Sequence, residues 1–363
     1  MAVENPWRGR RVLLTGHTGF KGSWLCLWLA GQGAEVHGLS LDPPTEPNLF
    51  TVAQVAGVLA SDCRADIRDF GAVQACFKAA RPEVVFHLAA QSLVTDGYDF
   101  PLETYAVNVM GTAHVLEAAR HCDSVRAVLV VTTDKCYENK EWLHPYREND
   151  RLGGHDPYSS SKACAELVTS AFRASYFSST AKGVRVASAR AGNVIGGGDW
   201  AANRLIPDCI RAFRQAGTVR LRYPQAVRPW QHVLEPLAGY VALAERLLGP
   251  DGAGFARAWN FGPDAEDSRP VGHVAREVCE RLGVALQLPT VAPALHEAGL
   301  LRLDSTLAKE LLDWHPRWRL TQAIAETVEW YRLWAEGADM LAFSRNQIEA
   351  YRRDMNSGSA AGG

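Results

Sequence analysis

Between Arg11 and about Val194, short apolar runs rich in β-branched residues recur, with helically spaced segments between them. The runs read VLLTG, AEVHGLSL, VVFHLAA, AVLVVTT and VRVASARAGNV, and the first helix is expected from about Lys21. Parallel strands need long crossovers, usually helices, so this alternation predicts βαβ units and an α/β fold built on a doubly wound parallel sheet. After Gly196 the rhythm changes, and GGGDW, YPQAVRPWQ, FGPDAEDSRP and LPTVAPALHEAG bring turns between helical stretches. Residues 1–195 are therefore expected to form the sheet domain and 196–353 mainly a smaller C-terminal lobe. AWNFGP near Trp259 and VALQLP near Val284 look like strands, so the chain is expected to return briefly to the main sheet. The closing MNSGSAAGG offers no apolar side chain able to dock, and residues 354–363 are expected to be a disordered tail. No internal repeat is present.

Composition narrows the classes. At 363 residues, with 47% hydrophobic and 21% charged residues, the chain has ample material for a core and no signature of disorder. A formal net charge of −2 gives no general electrostatic case for nucleic acid or an anionic membrane. The eight cysteines show no CxxC pair and no metal-like spacing with histidine, so no metal site is expected and the thiols read as reduced. No signal peptide is expected before RRVLLTG, and the apolar stretch from Trp24 to Ala30 is too short to span a bilayer. A cytoplasmic location follows as the expectation.

The first strand runs into Gly16-His17-Thr18-Gly19-Phe20-Lys21-Gly22 and then a helix, the context a Rossmann dinucleotide fingerprint requires. Gly16 permits a tight turn, Gly19 lets the backbone approach a pyrophosphate, and Gly22 lets the helix pack closely on the sheet. Thr18 and Phe20 belong to the same loop. Asp66 and Ile67 follow a strand-like segment and are placed at the adenine edge, while Leu88, Ala89 and Ala90 end a strand beside the pyrophosphate. At the end of the second strand an acid would take the ribose diol of NAD, and a base the 2′-phosphate of NADP. Here Ser40 stands at that position and Asp42 comes two residues late, which leaves the choice open. The absence of any Arg or Lys from Val36 to Leu49 favours NAD.

Tyr158 and Lys162 are four residues apart at the start of an expected helix, hence on one face. The ammonium can lower the phenol pKa and hold the nicotinamide ribose, so the phenol can take a hydroxyl proton as hydride leaves the same carbon. Upstream, AVLVVTT ends in Thr132-Thr133-Asp134-Lys135, at a strand C-terminus where open parallel sheets place their catalytic groups. Thr133 supplies a hydroxyl to assist the phenol. An Asp with a second titratable neighbour suits a reaction that also moves protons at adjoining carbons. Oxidising C4 of a hexose acidifies the C5 proton; a base removes it, an acid protonates the departing C6 hydroxyl, and hydride returns to C6.

The runs TGHTGFKGSWL, SLDPPTEPNLF, TTDKCYENKEW, YSSSKACAE, RAGNVIGGGDWAANRLIPD and RPWQHVLEPL resemble the CDP-glucose 4,6-dehydratases of the extended short-chain dehydrogenase/reductase class, and span Thr15 to about Pro236. HEAGLLRLD and LDWHPRW also fit that family. The resemblance implies CDP-glucose as substrate, NAD as cofactor, and Asp134 as the acid. In the wider dehydratase group the strand end reads Thr-Asp-Glu, with Glu as base; this sequence has Lys135 there, which leaves open which group takes the C5 proton. Asn193 resembles a residue that meets the sugar diphosphate, and Arg228 an arginine on the nucleotide or phosphates. Arg204 is a further phosphate candidate, since guanidinium forks suit phosphate oxygens. Trp200 and Trp230 are candidates to line a nucleobase slot, whereas His17 and His232 read as structural. Pairing through the helices near Thr104–His121 and Tyr158–Phe177 implies a homodimer or homotetramer. Two rival readings stand beside this one: another nucleotide-sugar dehydratase or 4-epimerase, and a non-catalytic NAD(P)-sensing protein on the same fold.

Overall fold

In the computed structural model, residues 5–178, 183–289 and 299–359 are described. The strands are β1 (Arg11–Thr15), β2 (Glu35–Ser40), β3 (Ser61–Arg64), β4 (Val84–His87), β5 (Ala127–Val131), β6 (Arg185–Ala191), β7 (Asn193–Ile195), β8 (Thr218–Arg220), β9 (Val227–His232), β10 (Ala258–Phe261), β11 (Ser268–Pro270) and β12 (Ala285–Gln287). Seven of them form one sheet in the order β10-β6-β5-β4-β1-β2-β3, parallel throughout. Helices cover both faces, so a central strand such as β5, AVLVV, is buried at every residue and reads as an apolar run rather than an alternation. The helix Phe20–Gly31 is buried from Gly22 through Leu29 for the same reason, wedged between the sheet and the C-terminal helix.

Chain order reverses at β1, whose neighbours are β2 on one side and β4 on the other. Such a switch point opens a crevice at the strand C-termini, where open α/β sheets bind their ligands. β5 and β6 bring the ends Thr132–Lys135 and Gly192–Asn193 to that same edge.

The lobe carries two small sheets, β11-β9-β7 and β12-β8. AWNF behaves as expected: as β10 it rejoins the main sheet beside β6. VALQLP does not; β12 pairs in parallel with β8 inside the lobe. A three-residue strand has too few ladder bonds to fix its partner, so packing against Val271–Leu282 decides where it lies. The last helix runs from Met340 through Ser359, so the first part of the expected tail is helical and residues 360–363 lie outside the described residues. Buried Ile348 and Tyr351 anchor this helix, and each residue added beyond a formed turn costs little.

Candidate active site

The dinucleotide end is built by glycines that cannot be replaced. Gly16 lies at φ +77°, and a Cβ there would meet the Ala89 backbone nitrogen at 2.7 Å; a Cβ on Gly22 would sit 2.0 Å from the Gly16 carbonyl. Gly19 differs, for its Cβ would meet nothing closer than that carbonyl at 3.4 Å. Its outer face is open, and the Phe20–Gly31 helix it introduces has no side-chain cap and no acid in its first turn. An uncapped helix N-terminus beside a bare glycine is the surface a pyrophosphate fits. Thr18 Oγ is hydrogen-bonded to Ser40 at 2.9 Å and to the Leu41 carbonyl at 3.0 Å, so the loop is clamped to the end of β2.

Leu88 and Ala89 donate their N–H groups to the Thr15 carbonyl and hydroxyl, which holds the β4 end, with Ala90 following, against β1. Ile67 fills the space over Gly111, where a Cβ would approach it to 2.4 Å, and Asp66 accepts from the Arg68 N–H and guanidinium. His17 is buried, with Nε2 2.8 Å from Asp62; burial keeps its imidazole below the usual range despite that carboxylate. His232, buried too, is pushed down to about 3. Both are neutral structural histidines, as expected.

A basic residue does reach this end, although none occurs in β2 or the loop after it. Arg64 comes from β3, in register with Ser40, and its guanidinium pairs with Asp62 at 2.7 Å and Asp42 at 3.5 Å. Two carboxylates neutralise it, so its presence does not argue for a 2′-phosphate.

The reacting end gathers residues from four elements. Asp156 caps the helix Pro157–Phe172 by accepting from Ser159 N, and that helix carries Tyr158 and Lys162 side by side. Both are buried. Lys162 Nζ reaches the Val131 carbonyl at 3.4 Å, and burial brings its ammonium down to about 8, with Glu166 opposing. Tyr158 is pushed up to about 12 by burial, against a hydrogen bond with the Thr133 side chain. Thr133 Oγ1 donates to Asp134 Oδ1 at 3.0 Å. Burial raises the Asp134 carboxyl above its ordinary range, opposed by Lys135, the Thr133 bond, Arg228 and Lys21. Among the described residues, Asp134 Oδ2 is a buried oxygen with no hydrogen-bond partner. A carboxyl that burial raises, set beside a phenol and an ammonium, offers an acid and a base kept distinct by environment.

Gly192 brings the lobe to this cluster. A Cβ there would strike Pro229 at 2.6 Å and Asp134 Oδ2 at 3.1 Å, so only glycine lets β9 close over the acid. Arg228 is thereby buried at the site, and Asn193 follows in β7. Arg204 spans the two halves, donating to Asp199 at 3.0 Å and to Ser92 at 3.2 Å. Trp200 packs against Trp330, Tyr331 and Trp334, and Trp230 donates to the Arg269 carbonyl, which makes both of them packing residues.

Sequence reasoning gave no role to Lys21. Its ammonium lies 5.9 Å from the Tyr240 ring and is brought down to about 8 by burial and by Arg204 and Lys162, with Asp134 opposing. The signal was present, since a cation in the first turn of a helix opposes the macrodipole and needs a reason. Glu166 was also missed. Its carboxylate accepts from Thr132 at 2.5 Å, Ser188 at 2.7 Å and Arg190 at 2.8 Å, tying the helix Pro157–Phe172 to the end of β5 and to β6. Among the described residues no cluster of His, Cys, Asp and Glu is arranged to hold a metal, and no helix is long and apolar enough to cross a membrane.

Residues 12–253 match the model of the NAD dependent epimerase/dehydratase family. The chain is 49% identical to a CDP-glucose 4,6-dehydratase of Salmonella typhimurium, over 97% of this chain and 98% of that one. It is 30% identical to a UDP-glucose 4-epimerase of Mycolicibacterium smegmatis, over 89% and 98% of the two chains. A dTDP-glucose 4,6-dehydratase from Streptomyces venezuelae, solved with NAD bound, superposes with a TM-score of 0.77 at 25% identity, covering 91% of this chain and 99% of that one. The family model spans residues 12–253 and a relative nearly half identical covers almost the whole chain, so the chain belongs to the NAD dependent epimerase/dehydratase family.

Proposed function

We propose that this chain is an NAD-dependent hydro-lyase that converts CDP-glucose to CDP-4-keto-6-deoxyglucose, the entry to deoxysugar synthesis. The observation that carries this reading is the buried Asp134, its carboxyl raised above the ordinary range by burial, beside the Tyr158/Lys162 pair, in a chain so similar to a CDP-glucose 4,6-dehydratase. A 4-epimerase needs only a phenol and a hydroxyl there.

NAD held here would supply the hydride acceptor for C4 of the hexose and the donor for C6. Gly16, Thr18, Gly19, Phe20 and Gly22 hold its pyrophosphate side, Ser40, Asp66 and Ile67 the adenosine side, and Leu88, Ala89 and Ala90 the strand edge between them. Tyr158 takes the C4 hydroxyl proton, with Lys162 favouring the phenolate and Thr133 orienting the hydroxyl. The new ketone acidifies C5, from which Lys135 takes the proton. Asp134 then gives its proton to the departing C6 hydroxyl, which leaves as water. Asn193, Arg204 and Arg228 bind the diphosphate, and the fixed charges of the two arginines with the Asn193 amide set the sugar over Tyr158.

The test is incubation of the purified protein with CDP-glucose and a small fraction of an equivalent of NAD. A 4-keto-6-deoxy product with many turnovers per cofactor is expected. Reduced cofactor accumulating in step with substrate consumed would remove the dehydratase reading.

We also infer a homodimer. The exposed apolar side chains Tyr98, Phe100, Leu102, Met110, Leu167 and Tyr176 lie on Val94–Asp99 and the helices that follow and on the catalytic helix with its extension to Phe177, a face that pairing of two copies would cover. Light scattering on a gel-filtered sample tests it. The eight free thiols support a cytoplasmic location.

A further inference from the structure

Lys21 is the second residue of the helix Phe20–Gly31, the helix whose uncapped N-terminus fits a pyrophosphate. A cation in that first turn opposes the helix macrodipole, so it weakens the helix rather than supporting it. Although Lys21 is half-buried, among the described residues its ammonium has no hydrogen bond and no ion pair. It lies instead over the Tyr240 ring, 5.9 Å from the centroid, and that ring is fully buried and held edge-on against Phe261. The charges that act on it are Arg204, Asp134 and Lys162, all groups of the reacting end. A side chain rooted in the cofactor loop thus reaches the catalytic cluster and finds no partner of its own there.

We propose that the Lys21 ammonium tunes the reduction potential of the bound nicotinamide, favouring the reduced ring over the oxidised one. The placement follows from the two ends of the dinucleotide site. Gly19 and the helix N-terminus take the pyrophosphate, while Lys162 takes the nicotinamide ribose and Tyr158 meets the reacting carbon, so the ring belongs in the interval between them. Lys21 starts at the first end and is felt at the second. In the oxidation step two electrons and the hydrogen leave C4 of the hexose as hydride, and the hydroxyl proton goes to Tyr158. The ring that takes the hydride loses its positive charge. A fixed cation beside it therefore repels the oxidised form and leaves the reduced form untouched.

The neighbouring charges do not cancel this field. Arg204 is neutralised by Asp199 at 3.0 Å, and Lys162 adds to Lys21. Asp134 opposes them only when ionised, and burial disfavours that form. Burial and like charge bring the Lys21 ammonium down to about 8, which still leaves it mostly charged at neutral pH. Such a field suits a reaction whose hydride is borrowed and returned. Oxidation of an alcohol by a nicotinamide is uphill in neutral water, and reduced cofactor that escaped before the return would strand the sugar half-processed. One cation serves both needs, since it draws the first step forward and holds the reduced cofactor until the last.

This role rests on the NAD reading of the Gly16–Gly22 loop, and it is tested without the sugar. Wild type, Lys21→Met, Lys21→Gln and Lys21→Arg are titrated with NADH by its fluorescence, and with NAD by displacement of NADH, at neutral pH. One unit charge several ångströms away, at the effective dielectric of a buried site, should move the ratio of the two affinities by on the order of tenfold. For a two-electron couple that is about 30 mV in the potential of the bound cofactor. Lys21→Met and Lys21→Gln should lose that much of the preference for NADH, and Lys21→Arg should keep it. A fall in affinity by the same factor for both forms would make Lys21 an anchor for the pyrophosphate and overturn this role. A ratio unchanged in both neutral variants would overturn it as well. Wild type that binds neither form removes the cofactor reading along with it, whereas wild type that shows the ratio but forms no 4-keto-6-deoxy product from CDP-glucose fails as a dehydratase alone.

Discussion

The Glu166 carboxylate meets the Arg190 guanidinium at 2.8 Å with almost no solvent on either side chain, four residues along the helix from Lys162. Burial raises the Glu166 carboxyl, but Arg190 and the hydrogen bonds from Arg190, Thr132 and Ser188 outweigh it and hold the group below the ordinary range. Breaking one side of such a pair leaves a buried charge uncompensated. Glu166→Ala should therefore lose about 3–5 kcal/mol of stability in urea unfolding. Because the folded-state pKa is depressed, this contribution is present at neutral pH and is given up only as pH falls through that value. A Glu166→Ala protein as stable as wild type would show that Arg190 finds another partner.

Tyr158→Phe should lose C4 oxidation by roughly 10²–10⁴-fold while still binding substrate, since the ring remains and only the proton acceptor is gone. Single-turnover absorbance of the reduced cofactor measures it. Turnover close to wild type would take Tyr158 out of the reaction.

Asp134→Asn should let C4 oxidation proceed and stall loss of the C6 hydroxyl, so that the 4-keto hexose builds up with its cofactor still reduced. Burial raises the Asp134 carboxyl, so in wild type the acid form persists above the ordinary carboxyl range, and the elimination step should fall as pH rises through that value. Rapid-quench analysis of the bound sugar at several pH values checks both statements; an elimination rate independent of pH would make Asp134 a structural cap.

Lys135 stands where the wider dehydratase pattern has Glu. Lys135→Met should abolish washing-in of solvent deuterium at C5, if its amine is what takes the C5 proton. Exchange that persists at a reduced rate would instead make it a cation that stabilises the enolate. Normal turnover of the variant would exclude both roles.

The Glu235 carboxylate accepts from the Arg317 and Trp318 N–H groups and from the Tyr351 hydroxyl, pinning the C-terminal helix to the lobe. Burial nevertheless brings Glu235 up to about 7, against those donors. A carboxyl whose folded-state pKa is raised costs stability when it ionises, so stability should decline as pH rises from about 4.5 through 7, by roughly 3 kcal/mol in all. Glu235→Gln should flatten that slope. Identical pH–stability curves for the two proteins would assign the dependence to other groups.

The sequence by itself determined the alternation of strands and helices that makes the parallel sheet, the glycine loop Gly16–Gly22 and the placing of Tyr158 and Lys162 on one helix, because each is written locally. Apolar runs such as AVLVV become strands wherever both faces are covered, Gly16 is demanded by its positive φ and Gly22 by the Gly16 carbonyl in the same loop, and a four-residue spacing puts phenol and ammonium on one helical face. Long-range pairing was beyond its reach. VALQLP read as a strand but not as the partner of β8, and the start of the tail read as disordered although Tyr351 anchors it against Trp28 and Trp318. Lys21, Glu166 and Arg64 look like surface charges in the sequence. Only the folded chain sets Lys21 beside Tyr240, Glu166 against Arg190 and Arg64 between two carboxylates. The physical reason is the same in each case: a charge acquires its chemistry from burial and from partners tens of residues away, and neither is encoded in the spacing around it.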